Sequence, residues 1–382
     1  MLRRSQSGFE ICRRLIRKRR TPLNDEASSS ILEEGTTFSD VHNVILNPTT
    51  KLPYPEKQLR EHLEKTSTDL LRERNRQKYG GKKKLSSEID FSHIPIVEHV
   101  VLLFPGQGAQ FVGMGKKLME IAAAKAIFDE ASEVLGYDML KLCLDGPKDK
   151  IEQTLYCQPA VVTSSVAAFE ALKSQDDSIE ENLTDTAGFS VGEYSAMVAG
   201  GIISFSDAIK IVKTRAEAMS ECSKLVNSGM VTVRVKGSSR IEKAINDARN
   251  VAREAGELDI CEVANYLYCG TRVIGASETC LRFLEQNQEK YNIQVLKRLQ
   301  VSSAFHTRQM EPAVEKVMQA LYQADIQRAV CNVYSNYTGH ILPAKKNEKF
   351  PRFYEVGPGR QLGAMLLQTS KKAYKTYQQY SC

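Results

Sequence analysis

The chain has 382 residues, with 52 Lys+Arg against 46 Asp+Glu and a formal net charge of +6. The excess is local: residues 1–20 carry eight bases and one acid, whereas residues 96–382 carry 33 charges of each sign. Balanced, dispersed charge excludes the basic footprint of a nucleic-acid binder, and the lack of any apolar run of about 18 residues excludes a membrane-spanning helix. The nine cysteines form no CxxC pair and no Cys/His ligand spacing, which predicts buried thiols in a reducing compartment and no zinc site.

Residues 1–22 are Arg-rich and nearly acid-free, and Leu2, Phe9, Ile11, Leu15 and Ile16 can form an apolar helical side. That composition predicts a mitochondrial transit peptide. Residues 23–96 read as a linker, marked by Ser28–Ser30 and by Pro48, Pro53 and Pro55, followed by a charged helix over 56–79 that ends at Gly80-Gly81.

The character of the chain changes at Val97. Val100–Phe104 is a continuous apolar run bounded by Pro105-Gly106, the pattern of a parallel strand buried on both faces. It empties into Pro105-Gly106-Gln107-Gly108-Ala109-Gln110, with a helix expected from about Met114. This Gly-rich turn can aim backbone N–H groups at a ligand. It is neither a dinucleotide fingerprint, because Phe111 stands where the third glycine belongs, nor a phosphate loop, because no GKS or GKT follows.

Gly188-Phe189-Ser190-Val191-Gly192 fits G-x-S-x-G, with a short strand expected over Thr184–Ala187 and a helix over Glu193–Val198. That is the setting of a nucleophile elbow, although the pattern also arises by chance. A serine nucleophile needs a base. His42, His62, His93 and His99 precede the first buried strand, leaving His306, just after an apolar strand, and His340, in a polar loop. In the helix expected over Asp207–Cys222, Arg215 lies on the apolar stripe of Ala208, Ile211, Val212, Met219 and Cys222. A buried-face guanidinium either meets a core carboxylate or grips the carboxylate of a substrate. Residues 229–299 read strand, helix, strand, strand, helix, strand, the ferredoxin-like order, inserted between Ser190 and His306.

With these pieces in order, the chain resembles the malonyl-CoA:acyl-carrier-protein transacylase family, mitochondrial members above all, over about residues 100–382. The motifs are FPGQGAQ (104–110), CQPAVV (157–162), GFSVGEYSA (188–196), TRAEAM (214–219), VANY (263–266), SSAFH (302–306), SN (335–336) and EVGPGRQLGAML (355–366). The resemblance implies an α/β fold, with an α/β-hydrolase-like large subdomain (97–228 and 300–382) bearing a parallel sheet and an inserted ferredoxin-like small subdomain (229–299). It implies Ser190 as nucleophile, His306 as general base and acid, and the backbone N–H groups of Gln107 and Val191 as oxyanion hole. It further implies Arg215 as the grip on the malonyl carboxylate, Asn265 and Gln158 as lining residues, and Phe305 as a bulky neighbour that disfavours branched acyl groups. The expected reaction moves malonyl from malonyl-CoA, a substrate, to the phosphopantetheine thiol of acyl carrier protein in the mitochondrial matrix, with no cofactor and no metal.

The chain departs from the family at two places. Phe189 replaces a common histidine. Only Tyr337–Tyr354 separates SN from EVGPG, and no counterpart is found there to the glutamine whose backbone carbonyl orients the family's histidine. That gap motivates a second reading, an impaired relative that binds carrier protein; a serine esterase is the third.

Overall fold

The computed structural model describes residues 89–268, 270–336 and 350–381. The expected transit peptide, most of the linker, the charged helix over 56–79, His340 and most of the shortened stretch 337–354 lie outside the described residues. The end of the linker belongs to the fold, since Ile89 N donates to Asn332 Oδ1 (2.9 Å) and Phe91 packs against the core.

Elements follow in chain order: β1 (Val100–Phe104), α1 (Ala122–Leu135), α2 (Thr154–Gln175), β2 (Leu183–Gly188), α3 (Gly192–Ala199) and α4 (Phe205–Ser223). Next come β3 (Ser228–Val235), α5 (Ile241–Glu254), β4 (Cys261–Tyr268), β5 (Thr271–Ser277), α6 (Glu278–Gln286) and β6 (Ile293–Arg298). The chain ends with α7 (Val314–Gln323), β7 (Asn332–Tyr334), β8 (Arg352–Val356), α8 (Gln361–Thr369) and β9 (Tyr377–Tyr380). The helix expected from Met114 starts only at Ala122, after turns and a short 3-10 segment at Lys116–Leu118. Gly113 and Gly115 flank Met114, and glycine is a poor helix former.

Five strands form an all-parallel sheet in the order β7-β2-β1-β8-β9. Its central strand, VVLLF, is almost wholly buried, as a parallel strand covered on both faces must be. Helix α2 is buried nearly all round and packs against α1 and α4. Burying each Val, Leu, Ile or Phe of this core contributes about 1.5–3 kcal/mol. The register sets Phe104 opposite Gly188, so the loops leaving the carboxyl ends of β1 and β2 lie side by side, where α/β folds gather their sites.

The other four strands form an antiparallel sheet in the order β4-β5-β3-β6, the ferredoxin-like arrangement. Its faces alternate as strands require. Val231, Val233, Ile274 and Ala276 face a core shared with α5 and α6, while Met230 and Val273 join Met219 and Cys222 of α4, Phe305 and Met310 in a separate cluster. That second cluster is the seam between the sheets. Where the chain enters and leaves the small sheet, Ser228 Oγ lies 3.3 Å from Ser303 Oγ and accepts from Ala304 N (3.0 Å). Cys143, Cys157, Cys222, Cys261, Cys280 and Cys331 are free thiols, all buried.

Candidate active site

Ser190 sits between β2 and α3 with φ at +53°, in the left-handed region. The flanking glycines make this turn feasible, because a Cβ on Gly188 would lie 2.0 Å from the Gly192 carbonyl. Phe189 N donates to Phe104 O (2.9 Å), tying the turn to the end of β1.

His306 lies in the loop after the small sheet, and its Nε2 is 2.9 Å from Ser190 Oγ. The two residues are 8% and 7% exposed. Burial, and after it the positive charge of Arg215, holds the imidazole's pKa down to about 3. The ring is therefore neutral at physiological pH, and Nε2 is the nitrogen that faces the serine hydroxyl. That Nδ1 finds no hydrogen-bond partner among the described residues.

Arg215 occupies the buried face of α4 as the stripe predicts. The hydroxyl of Ser204 starts this helix, accepting from Asp207 N (3.1 Å), a cap worth about 1 kcal/mol. Arg215 Nη1 donates to Gln158 Oε1 (2.5 Å), and Nη2 reaches Ser190 Oγ at 3.4 Å. Gln158 Nε2 in turn donates to Gln107 Oε1 (3.3 Å), and Gln107 Nε2 to Thr154 Oγ1 (3.2 Å). A polar chain thus runs from α2 through the Gly-rich loop to the guanidinium and the serine. Of the two alternatives for Arg215, the structure shows an amide partner in Gln158 and proximity to the serine hydroxyl.

The backbone N–H groups of Gln107 and Val191 donate to no protein acceptor among the described residues. They stand on the loops that leave the adjacent strands β1 and β2. Phe305 is buried in the seam cluster. Asn265 is half-buried on β4 opposite Val273, which belongs to the same cluster. The ladder shifts register between Val263 and Asn265, and the neighbouring Ala264 packs in the cluster that holds Phe305. The Asn265 side chain makes no hydrogen bond to Ser190, His306 or Arg215 among the described residues.

Residues without an individual sequence reading hold the site together. Asn336 clamps the elbow: its Oδ1 accepts from Ser190 N (2.9 Å), its Nδ2 donates to Gly188 O (2.6 Å), and its own N donates to Glu193 Oε1 (2.8 Å). Gln361 Oε1 accepts from Gly106 N (2.8 Å), fixing the Gly-rich loop. Glu355, fully buried, accepts from Leu362 N, Gly363 N and the Tyr377 hydroxyl and so secures the start of α8. Their only sequence signal was membership of the SN and EVGPGRQLG motifs. No cluster of three or more His, Cys, Asp or Glu suited to a metal occurs among the described residues.

Residues 101–350 match the family described as acyl transferase domain. The mitochondrial malonyl-CoA-acyl carrier protein transacylase of Homo sapiens is 42% identical over 306 residues, spanning 72% of this chain and 78% of that protein. A malonyl CoA-acyl carrier protein transacylase from Clostridium perfringens superposes with a TM-score of 0.63 at 29% identity, over 74% of this chain and 92% of its own. A malonyl-transacylase solved with a type II polyketide acyl-carrier protein gives a TM-score of 0.61 at 25% identity, over 74% of this chain and 94% of its own.

Proposed function

The chain belongs to the acyl transferase domain family, among the malonyl-CoA–acyl carrier protein transacylases, and we propose that it moves a malonyl group from malonyl-CoA to the phosphopantetheine thiol of acyl carrier protein. The observation that carries this reading is the Ser190 Oγ–His306 Nε2 contact of 2.9 Å, with Arg215 Nη2 at 3.4 Å from the same hydroxyl. A nucleophile and its base meet where a cation awaits a second, negatively charged end of the acyl group.

The steps balance without a metal or cofactor. Ser190 Oγ attacks the thioester carbonyl as His306 Nε2 takes the hydroxyl proton. The oxyanion settles between the N–H groups of Gln107 and Val191, each donor worth about 3–4 kcal/mol of transition-state stabilisation. The carbon–sulfur bond breaks, and the proton on Nε2 passes to the departing CoA sulfur. The carrier's thiol then gives its proton to the same nitrogen, attacks the malonyl-serine, and the proton returns to Oγ. Arg215, aimed by Gln158, holds the malonyl carboxylate throughout. Phe305 and Asn265 line the acyl side of the seam.

The Arg-rich, acid-poor first twenty residues and the mitochondrial relative support work in the mitochondrial matrix. The deciding experiment follows malonyl transfer from malonyl-CoA to acyl carrier protein, with intact-mass detection of malonyl-Ser190. Ser190→Ala is expected to abolish both signals. Equal transfer by folded wild type and folded Ser190→Ala would overturn the reading, and malonyl-CoA hydrolysis faster than transfer would favour an esterase.

A further inference from the structure

His306 stands in an expensive conformation. Its φ of +62° is left-handed, where a non-glycine residue costs about 1–3 kcal/mol and persists only if its surroundings over-determine it. A catalytic histidine is ordinarily oriented by an acceptor at the nitrogen facing away from its nucleophile, yet Nδ1 has no partner among the described residues. The backbone on either side of the ring is held independently of Nδ1.

Two features of the small sheet reach that backbone. The first is a buried ionic cluster. Arg308, two residues after His306 and 3% exposed, sets its Nε 2.6 Å from Glu262 Oε1 on β4 and donates from its backbone N to Glu262 Oε2 (3.0 Å). Its Nη2 donates to the carbonyl of Asp259 (3.0 Å) and to Asp259 Oδ1 (3.2 Å). At the rim the exposed Arg253 meets Asp259 Oδ2 at 2.5 Å, and the buried Arg249 approaches Glu262 Oε1 at 3.7 Å. The second feature is Gly275 on β5, where a Cβ would come 2.6 Å from Thr307 Cγ2 and 3.2 Å from Phe305 O. The residues on both sides of His306 lie directly on this sheet.

Stability alone gives a poor account of the cluster. Burying ion pairs is often no better than apolar packing of equal volume. What the cluster delivers is placement, because one carboxylate, Glu262, holds both the side chain and the peptide N–H of Arg308. A displacement of about 1 Å at a reacting group can cost about 100-fold in rate.

We infer that Arg308, Glu262 and Asp259, with Gly275 beneath the loop, are positioning residues that seat His306 against Ser190, so that the small sheet orients the base through its backbone. This rests on the reading of His306 as the base of the transfer.

The test measures single-turnover malonylation of Ser190 by malonyl-CoA in the full chain, with thermal melts and steady-state KM alongside. The paired substitution Arg308→Met with Glu262→Leu removes the charges together. It is expected to fold, to lose about 100-fold in acylation rate and to hold KM for malonyl-CoA within about threefold. Glu262→Gln keeps an oxygen able to accept from Arg308 N and is expected to retain most of the rate. If the paired variant does not fold, Gly275→Ala carries the test, with a lowered rate expected in a folded protein. A folded paired variant, or a folded Gly275→Ala in its place, that acylates at the wild-type rate overturns the inference. So does a loss confined to KM. His306→Ala separates the two claims: if it acylates like wild type, the reading of the base fails, whereas an inactive His306→Ala beside fully active positioning variants removes only the inference.

Discussion

Replacing Arg215 by Met keeps most of the side-chain volume on the buried face of α4 and removes the charge. Truncating one partner of a buried, hydrogen-bonded charge pair costs about 2–5 kcal/mol. Because Nη1 already donates to Gln158 Oε1, the lower half of that range applies. About 2.7 kcal/mol corresponds to roughly 100-fold in kcat/KM for malonyl-CoA. Acetyl-CoA brings no carboxylate, so its transfer should stay within about threefold or rise, since a buried guanidinium that gains no carboxylate from the substrate keeps a desolvation cost that the substitution removes. The assay is transfer of malonyl and acetyl from their CoA thioesters to carrier protein, read as a ratio of kcat/KM values. A ratio unchanged between wild type and Arg215→Met would refute the reasoning and reassign Arg215 to a structural partnership with Gln158.

The site sets three further outcomes. His306, whose pKa is held to about 3 by burial and then by Arg215, stays neutral well below its ordinary pKa near 6.5, so kcat/KM should show no acid limb between pH 8 and 5; a limb near 6.5 would contradict this. The unfolded chain binds a proton below about 6.5 that the folded chain refuses until about 3, so the contribution of His306 to stability is complete above 6.5 and falls away on acidification through that window. Its slope is at most about 1.4 kcal/mol per pH unit, and urea titrations of His306→Gln should show a shallower acid decline than wild type. Asn336→Ala strands Ser190 N–H and Gly188 C=O, each costing about 1–3 kcal/mol, and should lower the unfolding midpoint by roughly 5–15 °C; Asn336→Asp, which keeps the acceptor, should lose about half as much by differential scanning calorimetry.

The parts of this molecule legible in its sequence are those with a short-range physical signature. VVLLF reads as a buried parallel strand because nothing polar interrupts it, and Arg215 is conspicuous because it breaks an apolar stripe at helical spacing. The six alternating elements of the small sheet announce themselves by a change of period. What stayed hidden depends on contacts across the chain. Asn336 reaches residues 146 and 148 positions away, and Gln361 reaches Gly106 from 255 positions away; a single asparagine or glutamine carries no periodic mark of such a bond. Nothing in the sequence singles out Arg308 or Glu262, and only the fold shows them buried together. The sequence shows no counterpart to the family's orienting glutamine, but it carries no mark of the small sheet's hold on the loop.

The free thiols described with the fold acquire a meaning from the chemistry beside them. Burial pushes Cys143, Cys157, Cys222 and Cys331 up to about 12, and Cys157 directly precedes Gln158 in the site. Exchange with a disulfide needs an accessible thiolate, and these four supply neither the access nor the charge. A protein that handles pantetheine thiols at every turnover also meets their disulfides. By reacting through a hydroxyl and keeping these four sulfurs inside the core, it can exchange acyl groups between thiols while those four stay out of mixed disulfides.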